Sequence, residues 1–299
     1  GMKEITDKIK TKDVGVRKKK IAMVWDLDDP FWYPATKEAY RTAKILNYEV
    51  YVAAPKSRGE KGTAEMVSIL EKVRDEKYDG ICISPIVDPR VEDLMKQIEK
   101  NGTKIIFILS KMEHVHYESL IGTNSYNCGR NAGEVIQNLM RSNGKAAIIK
   151  WKDNLIETVE ERYQGIEDVL KNSDIELIPM IGPGEPTQEE AEECIGRLFA
   201  SYPDVSMLCA TNVGWGLAFG KYLESHHKNT LLVTVDFTDD VAKLMRAGYI
   251  NAAIAQKPEL WGSMTLYKMQ EVLEGKTIEK VIDTGTYEVN PSDMNIYSR

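Results

Sequence analysis

Two doubly wound parallel-sheet lobes of the α/β class are predicted for this chain by three observations. Its 299 residues are more than one compact core usually holds. Short apolar, β-rich runs alternate with helix-length segments, the order that builds a parallel sheet covered on both faces. The alternation then starts again midway along the chain, so a second lobe follows the first.

The first four runs are KIAMVW at 20–25, EVYVAA at 49–54, DGICIS at 79–84 and KIIFILS at 104–110. Between the last two, Val91, Leu94 and Ile98 have helical spacing, Asp88-Pro89 supplies an N-cap and a first-turn proline, and Asn101-Gly102 supplies the stop. The second set is KAAIIKW at 145–151, IELIPMI at 175–181, SMLCAT at 206–211 and TLLVTVD at 230–236. Thr187 with Glu190 predicts a capping box for the helix that follows the second of these. Residues 3–20 are Lys-rich, lack apolar periodicity and read as a solvated tether. Gly1-Met2 reads as an expression remnant, so a leader is expected to have been removed.

Composition narrows the function classes. Hydrophobic residues make up 42% and charged residues 28%, with no apolar run approaching the roughly 20 residues of a membrane-spanning helix. A net charge of −7 disfavours a nucleic-acid partner, whose phosphates need clustered Lys and Arg. Cys82, Cys128, Cys194 and Cys209 are widely spaced with no CxxC pair, which predicts buried thiols rather than a metal or redox motif.

In an open parallel sheet, ligands bind beyond the carboxyl ends of the strands. Here those positions carry Trp25-Asp26-Leu27-Asp28-Asp29-Pro30-Phe31-Trp32, then Ser110-Lys111, Thr211-Asn212, Asp236 and Gln256. Aromatic rings suit the C–H faces of a sugar, and carboxylate, amide and guanidinium groups suit its hydroxyls. The strand ends therefore point to a small polyhydroxylated ligand.

At these residues the sequence resembles the type I periplasmic binding proteins, in their ribose-binding branch, over residues 20 to about 290. The resemblance rests on Asp29-Pro30-Phe31-Trp32, Asp79-Gly80, Gly129 with Ala132-Gly133, and Arg162-x-x-Gly165. It continues through Tyr202-Pro203-Asp204-Val205, Asn212, Asp236 and Ala255-Gln256. It implies lobes joined by three crossing hinge segments, near 121–125, 253–257 and 282–286, with a ligand cleft between them. The implied division is a tether over 1–19, an N-terminal lobe of 20–123 plus 256–282, and a C-terminal lobe of 124–255 plus 283–299. Ligand contacts carried over by the resemblance fall on Asp29, Phe31, Trp32, Ser110, Lys111, Arg162, Asn212, Asp236 and Gln256. Phe31 and Trp32 would stack on the sugar ring, and Arg162 and Asp236 would anchor hydroxyls. Ser110-Lys111 stands where the family commonly has an Asp-Arg pair, Asn212-Val213 where it has Asn-Asp, and Asp29 where Asn is frequent. These departures change which hydroxyls can be held bidentately and leave a modified or larger saccharide open.

Plainer readings stand beside several of these. Trp25 and Trp215 read equally as core aromatics, Asp236 as a cap for a helix near Thr238, Asn212 as a cap for the helix after it, and Arg162 as a solvated helix residue. Gly182-Pro183-Gly184 lacks the third glycine of a dinucleotide loop, and His114-Val115-His116 has no third metal ligand in view. No GxSxG, P-loop or HExxH occurs; Asp26, Asp28 and Asp29 form the group most like acid/base equipment.

The expected function is solute capture without catalysis, cofactor or metal. The implied ligand is a small sugar or polyol; the implied partner is an ABC-type permease or a membrane sensor, outside the cytoplasm. The alternative is the effector-binding domain of a sugar-responsive transcription regulator, whose three-helix DNA-binding headpiece does not fit before the first strand.

Overall fold

The structure is a computed structural model, and it describes residues 17–152 and 157–294. Most of the expected tether thus lies outside the described residues; at its described end the Arg17 guanidinium donates to Asp79 at 2.7 Å.

Two compact units emerge, one from the described residues up to Gly122 plus Pro258–Asp283, the other from Thr123–Lys257 plus the described residues from Thr284 on. The passages between units fall after Gly122, Lys257 and Asp283, so Gln256 and Lys257 belong with the second unit rather than the first.

The first unit holds β1 (Lys20–Val24), β2 (Glu49–Ala53), β3 (Gly80–Ile83), β4 (Lys104–Ile108) and β5 (Ser119–Gly122). The second holds β6 (Asn143–Trp151), β7 (Asp174–Gly182), β8 (Met207–Ala210), β9 (Leu231–Val235) and β10 (Ala252–Ala255). β11 (Val281–Asp283) rejoins the first unit, and β12 (Tyr287–Val289) ends the second. The first sheet runs β11-β5-β4-β3-β1-β2, parallel throughout. The second runs β12-β10-β9-β8-β6-β7, parallel except for β12, which pairs antiparallel with β10. β5, β10 and β11 end at or just before the passages between units, and the antiparallel β12 is a feature the sequence rhythm did not predict.

Each sheet is buried on both faces because successive strand residues alternate between two cores. In β1, Ile21 and Met23 pack with Ala35, Ala39, Trp261 and Met269, from the helices Tyr33–Leu46 and Pro258–Leu273. Ala22 and Val24 face the other way, onto Met66, Leu70, Val91 and Ile98 of the helices Gly59–Glu76 and Pro89–Lys100. In β6, Ala146 and Ile148 pack toward the helices Ser125–Met140 and Glu157–Leu170, while Ala147 and Ile149 face Ile195, Trp215 and Val241. Local caps match the sequence signals. Asp88 accepts from Arg90 N at the start of Pro89–Lys100, Asn101 caps its end, and Thr187 and Glu190 form the reciprocal capping box.

In each sheet the strand order reverses between β1 and β3, or between β6 and β8. At such a switch point the loops beyond the carboxyl ends diverge and leave a crevice, which sets where a ligand can sit.

Candidate sugar-binding site

In the first unit, the chain leaves β1 through Trp25 and turns back at Asp29. The Asp29 carboxylate accepts from Phe31 N at 2.9 Å, and Pro30 opens the short 3-10 turn Pro30–Trp32 that leads into the helix Tyr33–Leu46. This turn separates the fates of the two aromatics. Phe31 is 40% exposed, whereas Trp32 is 2% exposed. The Trp32 ring lies 4.8 Å from that of Trp25 at 6° between planes, and its indole N–H donates to Asp26 at 2.9 Å. The expectation that Trp32 offers a stacking face is corrected here: Trp25 already occupies that face, and Phe31 carries the accessible ring. Trp25 is buried too, with its own N–H donated to Thr36 at 2.8 Å.

Asp26 sits beneath these rings with its carboxyl in a crowded setting. Burial pushes its pKa above the usual carboxylate range and the Asp29 charge adds to that, while the Trp32 hydrogen bond and the Arg58 charge oppose it. At the end of β4, Leu109 adopts a left-handed φ of 67°, and Ser110 and Lys111 follow it, both exposed. The Lys111 ammonium lies 5.9 Å from the Tyr117 ring centre.

The second unit places Arg162 from a different kind of element. The helices Ser125–Met140 and Glu157–Leu170 approach so closely that a Cβ on Gly129 would lie 2.0 Å from Arg162 O, and one on Gly165 would lie 2.2 Å from Tyr126 O. This contact is the physical content of the glycines in the Arg162-x-x-Gly165 signature. It seats Arg162 in the protein at 8% exposure, where Nη1 donates to Thr211 O at 2.9 Å. Among the described residues no carboxylate pairs with this guanidinium, and its buried Nε has no partner. The solvated-helix reading of Arg162 is excluded by that burial.

Asn212, at the end of β8, occupies the N-cap position of the helix Val213–His226 but makes no side-chain cap bond. Its Nδ2 reaches Gly184 O and the Glu185 carboxylate, each at 3.4 Å, and its buried Oδ1 has no partner among the described residues. Asp236 follows β9 with a left-handed φ of 73°, a strained setting for a non-glycine residue. It does not cap the next helix; Thr238 does that, accepting from Val241 N at 3.2 Å. Asp236 instead accepts from Gln256 Nε2 at 2.7 Å, and Gln256 Oε1 accepts from the Thr123 hydroxyl at 2.6 Å. Gln256 is thereby held from both ends.

A matching family model covers residues 21–277 and is described as a periplasmic binding protein domain. The chain belongs to the periplasmic binding protein family. Curated relatives of this periplasmic binding protein include the ribose import binding protein of Haemophilus influenzae, 23% identical over 91% of this chain and 88% of the relative. Another is the D-allose-binding periplasmic protein of Escherichia coli, 22% identical over 84% of this chain and 84% of the relative. Among solved structures, the arabinose binding protein AraP of Geobacillus stearothermophilus shares the fold with a TM-score of 0.83 and 22% identity, over 94% of this chain and 99% of that one.

Three further residues of this periplasmic binding protein belong with its strand-end sets, and sequence reasoning did not select them as contacts. Trp151 ends β6 at the switch point, and its buried indole N–H has no partner among the described residues. Glu185 contacts Asn212, and Thr123 fixes Gln256. The position of Trp151 at the end of an apolar run was a usable signal. The roles of Thr123 and Glu185 depend on contacts between distant parts of the chain.

Proposed function

We propose that this periplasmic binding protein captures a small sugar or polyol, using the strand-end residues of both units, and passes it to an ABC-type permease or presents it to a membrane sensor outside the cytoplasm. The observation that supports the reading is a group of polar atoms in the second unit that are orphaned among the described residues: Trp151 Nε1 and Asn212 Oδ1 at strand ends, and Arg162 Nε on the helix Glu157–Leu170. Each such atom left unsatisfied costs about 1–3 kcal/mol, a burden that a fold rarely keeps without a use for it. Two are donors and one is an acceptor, and a sugar hydroxyl can serve either.

Asp236, held by Gln256, is placed to accept from a hydroxyl, and Phe31 gives a ring for a C–H face. Asp29, Ser110 and Lys111 complete the set on the first unit. The names of the relatives, ribose, D-allose and arabinose binding proteins, support the same chemical class. Capture of this kind requires no turnover. It is tested by thermal-shift screening against pentoses, hexoses and polyols. A ligand at about 100 times its dissociation constant adds about 2.7 kcal/mol of stability. At least one sugar is expected to do so, and a panel in which none shifts the transition overturns the reading.

A further inference from the structure

The first unit carries a concavity that the residues above do not use. A cavity of about 210 Å³ lies beyond the carboxyl ends of β1, β2 and β3, lined by Asp26, Leu27, Ser57, Arg58, Thr63 and Ile86. With a water's share of liquid volume near 30 Å³, it has room for about seven waters or one small ring, and it is below the roughly 300–1,000 Å³ of pockets for larger ligands. It lies at the switch point of the first sheet, where the strand order passes from β1 to β3.

Its lining selects a neutral, hydroxylated occupant. The Asp26 carboxylate disfavours an anion, and the Arg58 guanidinium, which makes no hydrogen bond or ion pair among the described residues, disfavours a cation. Thr63 already donates within the protein, to Gly59 O, and keeps its oxygen as an acceptor, and Ser57 adds a second hydroxyl to the lining. Leu27 and Ile86 supply an apolar wall for a C–H face. Acceptor, donor and apolar wall around a ring-sized space form the combination that recognises a sugar ring.

Through Asp26 the cavity lining contacts the aromatic cluster that carries Phe31. One Asp26 oxygen receives the Trp32 N–H at 2.9 Å, and the Trp32 ring meets the Phe31 ring at 5.6 Å. We propose that this cavity is a second saccharide subsite, which holds the next ring of a disaccharide whose first ring lies against Phe31 and Asp29. The proposal rests on the sugar-capture reading and names its ligand class more narrowly, as a saccharide of at least two rings.

Calorimetric titration tests it, with cellobiose, lactose, maltose and xylobiose set against D-glucose, D-galactose and D-xylose. At least one disaccharide is expected to bind about tenfold or more tighter than either of its component sugars. Arg58→Ala and Ile86→Trp should each erase that advantage and leave monosaccharide affinity within about twofold. Arg58 is exposed, so Arg58→Ala keeps the test sound if the bulkier Ile86→Trp fails to fold. Monosaccharides binding as tightly as every disaccharide overturn the second subsite and leave sugar capture standing. A disaccharide advantage that persists in a folded Arg58→Ala and a folded Ile86→Trp overturns its location. No binding of either length overturns both readings.

Discussion

A guanidinium enclosed by protein with one backbone carbonyl as its partner is costly to keep, and among the described residues Arg162 is in that state. Replacing buried ionic groups with apolar ones of similar volume is often neutral or stabilising by about 1–4 kcal/mol. Arg162→Met is therefore expected to melt, without ligand, at or above the wild-type temperature. The same variant should lose the roughly 1.5–3 kcal/mol that hydrogen bonds to a charged group supply, and with it about 10- to 100-fold in sugar affinity. A purely structural Arg162 would give the reverse pattern, a less stable protein with unchanged binding. Phe31 and Trp32 make a second contrast. Phe31→Ala should weaken binding about tenfold at little cost in stability, because the ring is 40% exposed. Trp32→Ala should cost about 3–5 kcal/mol of stability, since it empties a site stacked against Trp25; denaturant unfolding of both variants checks the pair. The sequence made this cluster of aromatics and acids visible, because strand-end positions can be read from apolar runs. It could not show which of two adjacent aromatics faces inward, since the short turn that Asp29 caps decides that.

At the scale of elements, the seat of Arg162 depends on how closely two helices approach. Gly129→Ala brings a Cβ within 2.0 Å of a backbone oxygen. Overpacking of this kind costs about 1–3 kcal/mol, and the helix Glu157–Leu170 must move to relieve it. Lower stability together with weaker sugar binding is expected, and a Gly129→Ala protein with wild-type values for both would refute the helix contact as the device that places Arg162. The same pair of helices carries an acid-sensitive bond. Tyr126 donates to Asp168 at 2.6 Å, and this bond, helped by Gln164, holds the Asp168 carboxyl below its usual range. A depressed carboxylate pKa adds stability that is present above the unfolded value and lost as pH falls through the folded one. Stability should fall on acidification through the carboxylate range, and Tyr126→Phe should make that fall shallower; chemical denaturation at a series of acidic pH values measures the slope. The helix signals were well marked in the sequence, as the Asp88 cap and the Thr187–Glu190 box show. The edge strand β12 was not, because three residues, two of them exposed, carry no alternation to read.

For the whole molecule, the alternating rhythm was enough to anticipate two parallel-sheet units, since apolar runs buried on both faces admit few other arrangements. The passages between units were harder to place. Gln256 lies in the second unit, and there its side chain bridges Thr123 and Asp236, a tie between distant segments that no local pattern encodes. Orphaned atoms such as Trp151 Nε1 were likewise out of reach, because a missing partner is defined only once the surroundings are folded. The central claim is that one small sugar is gripped by strand-end residues from both units. Hydrogen exchange read by mass spectrometry, with and without the most stabilising sugar of the panel, tests it most directly. The account predicts slower exchange on sugar addition both at residues 25–32 of the first unit and around residues 211–214 and 236 of the second. Protection confined to one unit, or absent from both loop sets while the sugar still stabilises the protein, would contradict it.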